Sequence, residues 1–159
     1  MPDRSHILIV EARFYPDLAD EMLKGAVAAL EAGGATHETI SVPGAFEIPA
    51  AIRFASEAWK GGKLVRPFDG YVALGCVIRG ETTHYDYVCG ESARGLQELA
   101  VREGLAIGYG ILTVENRDQA WARAKRGRKN KGADAAKACL AMIAVKRRFG
   151  LPTAARPEA

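Results

Sequence analysis

The sequence predicts an α/β fold in which helices cover both faces of a four-stranded parallel sheet. Three observations carry this expectation. Short, almost wholly apolar runs recur along the chain, amphipathic helical patterns fill the gaps between them, and glycine pairs or turn residues punctuate the two kinds of segment. Apolar runs of strand length suit strands buried on both faces, as parallel strands are. At 159 residues, 48% hydrophobic and 26% charged, the chain has the size and balance of one domain, 1–159, around one core.

The elements follow in order. "HILIVEA" (6–12) reads as the first strand, and Leu18, Met22, Ala26, Ala29 and Leu30 form a helical stripe that Gly33 and Gly34 close. "ETISV" (38–42) is a second, weaker strand. Ile48, Ile52, Ala55 and Trp59 mark a helix ended by Gly61 and Gly62, and "GYVALGCVI" (70–78) is the third strand. Tyr85, Val88, Cys89, Ala93, Leu96 and Leu99 then predict a long helix, "LAIGYGILTV" (105–114) the fourth strand, and Asp134 to Phe149 a last helix. That helix keeps Ala136, Cys139, Leu140 and Ile143 inward and sets Lys146, Arg147 and Arg148 against its negative end. The tail from about 151 to 159 is expected to fray. With right-handed crossovers the alternation gives a flavodoxin-like three-layer sandwich.

Composition excludes several classes. No apolar run approaches the ~20 residues that span a bilayer, and the start "MPDRSHILIVEA" lacks the pattern of a secretory signal, so a soluble, cytoplasmic protein without membrane partners is expected. Cys76, Cys89 and Cys139 are an odd number with no CxxC spacing and read as small buried hydrophobes. Neither a phosphate-loop nor a dinucleotide glycine pattern occurs, nor zinc or calcium spacing, so no metal is expected. The net charge is only +3, but basic residues crowd "ARAKRGRKNKG" and "KRRFG". A nucleic-acid patch is one reading of them; the lack of interleaved aromatics argues against it, and no nucleic-acid partner is expected.

In open parallel sheets ligands sit beyond the carboxyl ends of the strands. The segments leaving them are "EARFYP", "VPGAFEIP", "VIRGETTHYD" and "TVENRDQA". In the third, Gly80 permits a tight turn, and Thr82 and Thr83 stand at the start of the next helix, where they suit either an anion site or a plain helix cap. His84 follows at once, and an imidazole titrating near neutrality is the natural proton shuttle there. In "PGAFEIP" the amides of Ala45, Phe46 and Glu47 can meet a ligand carbonyl, and Phe14 offers a ring either for stacking on a heterocycle or for packing.

"ARF" (12–14), "VPGAFEIP" (42–49), "LGCVIRGETTHYDYV" (74–88), "GILTVEN" (110–116) and "NKG" (130–132) occur in an order and spacing that resemble the lumazine synthases over nearly the whole chain. That family condenses 5-amino-6-(D-ribitylamino)uracil with 3,4-dihydroxy-2-butanone 4-phosphate in riboflavin biosynthesis, releasing phosphate and water, with neither cofactor nor metal. The resemblance implies that Phe14 stacks on the pyrimidine, Val77 and Ile78 line its pocket, and Ala45, Phe46 and Glu47 hold the ribityl chain, with Glu47 accepting its hydroxyls. Glu81, Thr82, Thr83 and Arg123 would cradle the phosphate, and His84 would be the acid/base. It further implies a homo-pentamer whose sites are shared, the neighbour supplying Tyr109, Arg123 and Lys131, with Asp134 orienting Arg123.

Two departures from the family pattern stand out. Tyr109 replaces the usual phenylalanine and adds a hydroxyl that needs a partner. "AKRGRKNKG" (124–132) replaces a turn of the type GTKAGNKG that shapes contacts among pentamers, which favours a free pentamer or a pair over a sixty-subunit shell. A flavodoxin-like module that binds such ligands without turnover is the alternative of a different class.

Overall fold

The structure, a computed structural model, describes residues 4–154. Strands β1 (His6–Ala12), β2 (Thr36–Val42), β3 (Gly70–Ile78) and β4 (Ile107–Val114) form one sheet in the order β2-β1-β3-β4, every pair parallel. Helices α1 (Pro16–Ala32), α2 (Ile48–Lys60), α3 (His84–Glu103), α4 (Arg117–Ala124) and α5 (Lys131–Arg148) cover it, with a 3-10 turn at Ala45–Glu47 leading into α2. The three-layer α/β arrangement expected from the sequence is therefore present.

The alternation of side chains along the strands builds a core on each face. Ile7 and Ile9 of β1 and Val72 and Leu74 of β3 join α1, α4 and α5 on one side. Leu8, Val10, Tyr71 and Ala73 join α2 and α3 on the other. Of the predicted stripe of α1, Leu18, Met22, Ala26 and Leu30 are at most 1% exposed while Ala29 is only partly buried, each large side chain among the four contributing roughly 1.5–3 kcal/mol by burial. β2, at the edge with one neighbour, keeps most of its residues exposed, which is why its sequence is polar and its signal weak.

One helix and three element starts differ from expectation: β2 begins at Thr36, two residues before the expected Glu38. α4 is an additional helix, capped by Asn116, whose Oδ1 accepts the Gln119 amide at 2.9 Å. With only Ala120 and Ala124 buried it carries almost no apolar stripe, so periodicity could not reveal it. α5 begins at Lys131 rather than Asp134, launched from Asn130 in the left-handed region at φ 47°. β4 begins at Ile107, two residues late. Two glycines seat α5: a Cβ on Gly108 would stand 1.8 Å from the Ala135 carbonyl oxygen, and one on Gly132 would stand 2.1 Å from that of Met22. Backbone thus meets backbone where α5 crosses β4 and α1.

Of the tail expected to fray, Thr153 donates to Asp69 and its carbonyl accepts from Lys146 at 3.1 Å; residues 155–159 lie outside the described part. Cys139 is fully buried, but Cys76 and Cys89 are only partly so, a correction to their reading as core residues. Among the described residues no helix is long and apolar enough to cross a membrane.

Candidate active site

The strand order reverses direction between β1 and β3, and a parallel sheet opens a crevice at such a point. A cleft of about 500 Å³ lies there, enclosed by the segments leaving β1, β2 and β3 and by the start of α3. Phe14 and Tyr15 form one wall, Pro43 to Glu47 a second, and Cys76, Val77, Ile78 and Val88 the floor, with His84 on the rim. Seven residues singled out in the sequence thus meet in one space: Phe14, Ala45, Phe46, Glu47, Val77, Ile78 and His84.

Each wall has a local cause. Phe14 is 71% exposed and touches Tyr15 edge-on, ring centroids 5.0 Å apart, so its faces are free for a planar ligand. Behind it Glu11 is buried at the end of β1 and accepts from Arg13 Nη1 at 3.0 Å and from Ser41 Oγ at 3.1 Å. Arg13 also pairs with Asp20, so both charged groups are satisfied and the turn carrying Phe14 is tied to β2 and α1. This network escaped the sequence reading, since a carboxylate inside a strand gives no sign of its partner. On the second wall Ala45 is buried while Phe46 is 55% exposed. As the first residues of a helical turn, Ala45 and Phe46 carry amides without a partner inside that turn.

The β3 exit is polar only above the floor. Cys76 is held as a thiol, its pKa pushed by burial up to about 11. The His84 amide donates to Thr82 Oγ1 at a long 3.4 Å, and the Thr83 side chain makes no capping bond to α3. Plain capping therefore accounts for little of the pair. Glu81, Thr82, Thr83 and His84 are all exposed at the positive end of a 20-residue helix.

Other predicted residues lie elsewhere in the chain. Tyr109 faces α3 in a groove with Leu96 and Ile107, and burial raises its pKa. The hydroxyl that distinguishes it from phenylalanine bonds to Ser92. Arg123, on α4, donates through Nη1 to the Gln119 carbonyl at 3.1 Å. Lys131 pairs with Asp134 at 3.1 Å, so the partner expected for Arg123 is engaged by Lys131 within the chain. None of Tyr109, Arg123 and Lys131 lines the cleft. Tyr15, Gly44, Cys76 and Val88 also line it; they stand inside the quoted segments EARFYP, VPGAFEIP and LGCVIRGETTHYDYV, but their residue types suggested a turn or packing rather than a ligand contact. Among the described residues no three His, Cys, Asp or Glu side chains gather as a metal site.

The arrangement offers a ring-stacking wall, a polar turn, an apolar floor and an imidazole beside an anion-attracting helix start. Comparison with known proteins gives the same direction. A family model described as 6,7-dimethyl-8-ribityllumazine synthase matches residues 4–147. The chain is 58% identical over 150 residues to the 6,7-dimethyl-8-ribityllumazine synthase of Bartonella tribocorum, covering 94% of this chain and 95% of that one. It is 61% identical over 146 residues to 6,7-dimethyl-8-ribityllumazine synthase 1 of Rhizobium meliloti, covering 91% and 94%. With the enzyme of that name from Agrobacterium fabrum the identity is 56% over 147 residues, covering 92% and 98%. The chain belongs to the 6,7-dimethyl-8-ribityllumazine synthase family.

Proposed function

We propose that this cleft condenses 5-amino-6-(D-ribitylamino)uracil with 3,4-dihydroxy-2-butanone 4-phosphate, giving 6,7-dimethyl-8-ribityllumazine, phosphate and water, a transferase step of riboflavin biosynthesis. The observation that supports it most directly is the convergence of Phe14, the Ala45–Glu47 turn, Val77, Ile78 and His84 on one space of about 500 Å³. Phe14 stacks on the pyrimidine, whose edge meets backbone at Val77 and Ile78, while the turn and Glu47 take the ribityl hydroxyls. Glu81, Thr82 and Thr83 hold the phosphate at the start of α3, where amides and helix dipole favour an anion.

The chemistry follows from the substrates. The pyrimidine amine adds to the ketone and loses water to an imine; a proton leaves the adjacent carbon as phosphate departs; the resulting enol tautomerises to a ketone; the ribitylamino nitrogen closes the ring with loss of a second water. Each step moves a proton, and His84 on the rim is the group to carry it. Holding two reactants together supplies most of the acceleration, with effective molarities of ~10⁵ M or more, and proton transfer adds roughly 10²- to 10⁴-fold.

A phosphate that is first held and then expelled calls for cations, and the cleft's own lining has none. Arg123 and Lys131 therefore serve the site of a neighbouring subunit, with Tyr109 packing at the same junction. A guanidinium suits the role because it gives paired hydrogen bonds to phosphate oxygens. The family resemblance supports a homo-pentamer, free or paired, in the cytoplasm as the assembly that brings Arg123 and Lys131 there. Incubating the protein with both substrates should give lumazine fluorescence with stoichiometric phosphate release. Tight binding of both without turnover would overturn the reading in favour of a carrier.

A further inference from the structure

We propose that Arg79 is a positioning residue for the phosphate end of this reaction: it clamps both ends of the Gly80–Thr83 turn to β4 and so presents Thr82, Thr83 and His84 to the substrate. The inference rests on the reading of the site given above. Arg79 directly follows β3, and its amide donates to the Val114 carbonyl at 2.9 Å, carrying the link to β4 one residue past the strand. Its side chain then reaches in two directions. Nε donates to Glu115 Oε2 at 2.7 Å, in the segment leaving β4. Nη1 lies 3.5 Å from Asp86 Oδ1, and the guanidinium carbon stands 4.2 Å from the Tyr85 ring centroid, both in the first turn of α3. Tyr85 is itself bonded to Thr113 of β4 and to Cys89.

Between these anchors the Thr83 carbonyl is tied into α3, accepting the Asp86 amide at 3.0 Å and the Tyr87 amide at 3.4 Å, but the side chains of the turn are loosely held. Thr83 makes no capping bond, the Thr82 bond is long, and the Cβ position of Gly80 has no neighbour within 4 Å. A short turn bracketed by one side chain takes its geometry from that side chain. Two carboxylates and a ring occupy the guanidinium, so it acts on the substrate through the turn and not as a phosphate ligand. Exposed ion pairs contribute little to global stability, so the effect belongs in binding and turnover rather than in melting temperature.

Steady-state kinetics on the full protein, with inorganic phosphate as competitive inhibitor, test this. Arg79→Ala should raise KM for the phosphorylated butanone and Ki for phosphate by about 10-fold and lower kcat, leaving KM for the pyrimidine within about twofold. Arg79→Lys, which keeps one ion pair but cannot cap the ring as a planar fork does, should recover only part of the loss. Glu115→Gln should weaken phosphate in the same direction, and the double variant Arg79→Ala/Glu115→Gln should be no worse than Arg79→Ala alone. Tighter phosphate binding in Glu115→Gln would make Arg79 a masked ligand and overturn the proposal, as would unchanged constants in all variants. Should Arg79→Ala fail to fold, Glu115→Gln and Arg79→Lys decide alone. A wild type without turnover removes the function proposed above; an active wild type with unmoved variants removes only the role of Arg79.

Discussion

The two ends of the candidate site are built differently. The proposed heterocycle end, from Phe14 through Ala45–Glu47 to Val77 and Ile78, is assembled within one chain at the switch point of the sheet. The proposed phosphate end is half built: Thr82 and Thr83 stand exposed at the start of α3, while Arg123 and Lys131 are engaged elsewhere, on Gln119 and Asp134. The difference teaches that apolar shape and charge are recruited by different means. An apolar wall follows from burying strand ends, whereas a cation aimed at a phosphate must be held at the rim by something that brings it there.

The strongest way to break this contrast is to remove the cation. Arg123→Ala is expected to lower kcat/KM for the phosphorylated substrate by about 10³-fold, the scale of losing a charge-assisted pair aimed at a departing anion. If that arginine comes from a neighbour, mixing Arg123→Ala and His84→Ala subunits should restore about a quarter of the wild-type activity, because random assembly leaves one site in four intact. No recovery would place both ends in one chain. His84→Ala alone should slow turnover by about 10²-fold without abolishing it, since positioning survives; a complete loss with the fold and binding intact would contradict that division.

Smaller effects probe the apolar end. Phe14→Ala should raise KM for the pyrimidine by about 10-fold and leave Ki for phosphate unchanged, reflecting the roughly 1–3 kcal/mol of a base stacked on a ring. A change in both constants would mean that the two ends are not separable. Smallest of all is the response to alkylation at pH 8. Burial holds Cys76 as a thiol with a pKa of about 11, so only about 10⁻³ of it is thiolate and iodoacetamide should leave activity intact over minutes. The same burial sets a pH limit. Cys76 and Cys139 rise from 9.0 to about 11 and about 12, so the unfolded chain releases these protons first. Their contribution to stability should be fully present below pH 9 and be lost between pH 9 and about 12, as equilibrium unfolding by urea across that range would register.

Much of this was legible in the residues. The apolar runs located β1, β3 and β4 because a strand buried on both faces must be apolar throughout, whereas the exposed edge strand β2 left only a weak signal; the stripe of Leu18, Met22, Ala26 and Leu30 located α1 because only a helix of period 3.6 buries that set. α4 was invisible for the same reason in reverse: it buries two alanines and its start is set by the Asn116 cap. The predicted residues of the β1, β2 and β3 exits that meet in the cleft could be chosen from their chemistry and order. Glu11 with Arg13, Tyr15, and Arg79 with Glu115 could not, since each depends on a neighbour 30 or more residues away or on a turn whose direction no pattern records.

By itself, then, the sequence determined the alternation of strands and helices, the chemistry at each strand exit and the family resemblance, because periodicity and motif spacing are local properties of a chain. Only the tertiary structure decided that β1 and β3 lie side by side with β2 outside them, that Phe14 and Ile78 face one space, and that Arg123 and Tyr109 do not. Those facts depend on the order of strands in the sheet and on which face each helix covers, and these are settled by burying both cores at once rather than by any segment alone.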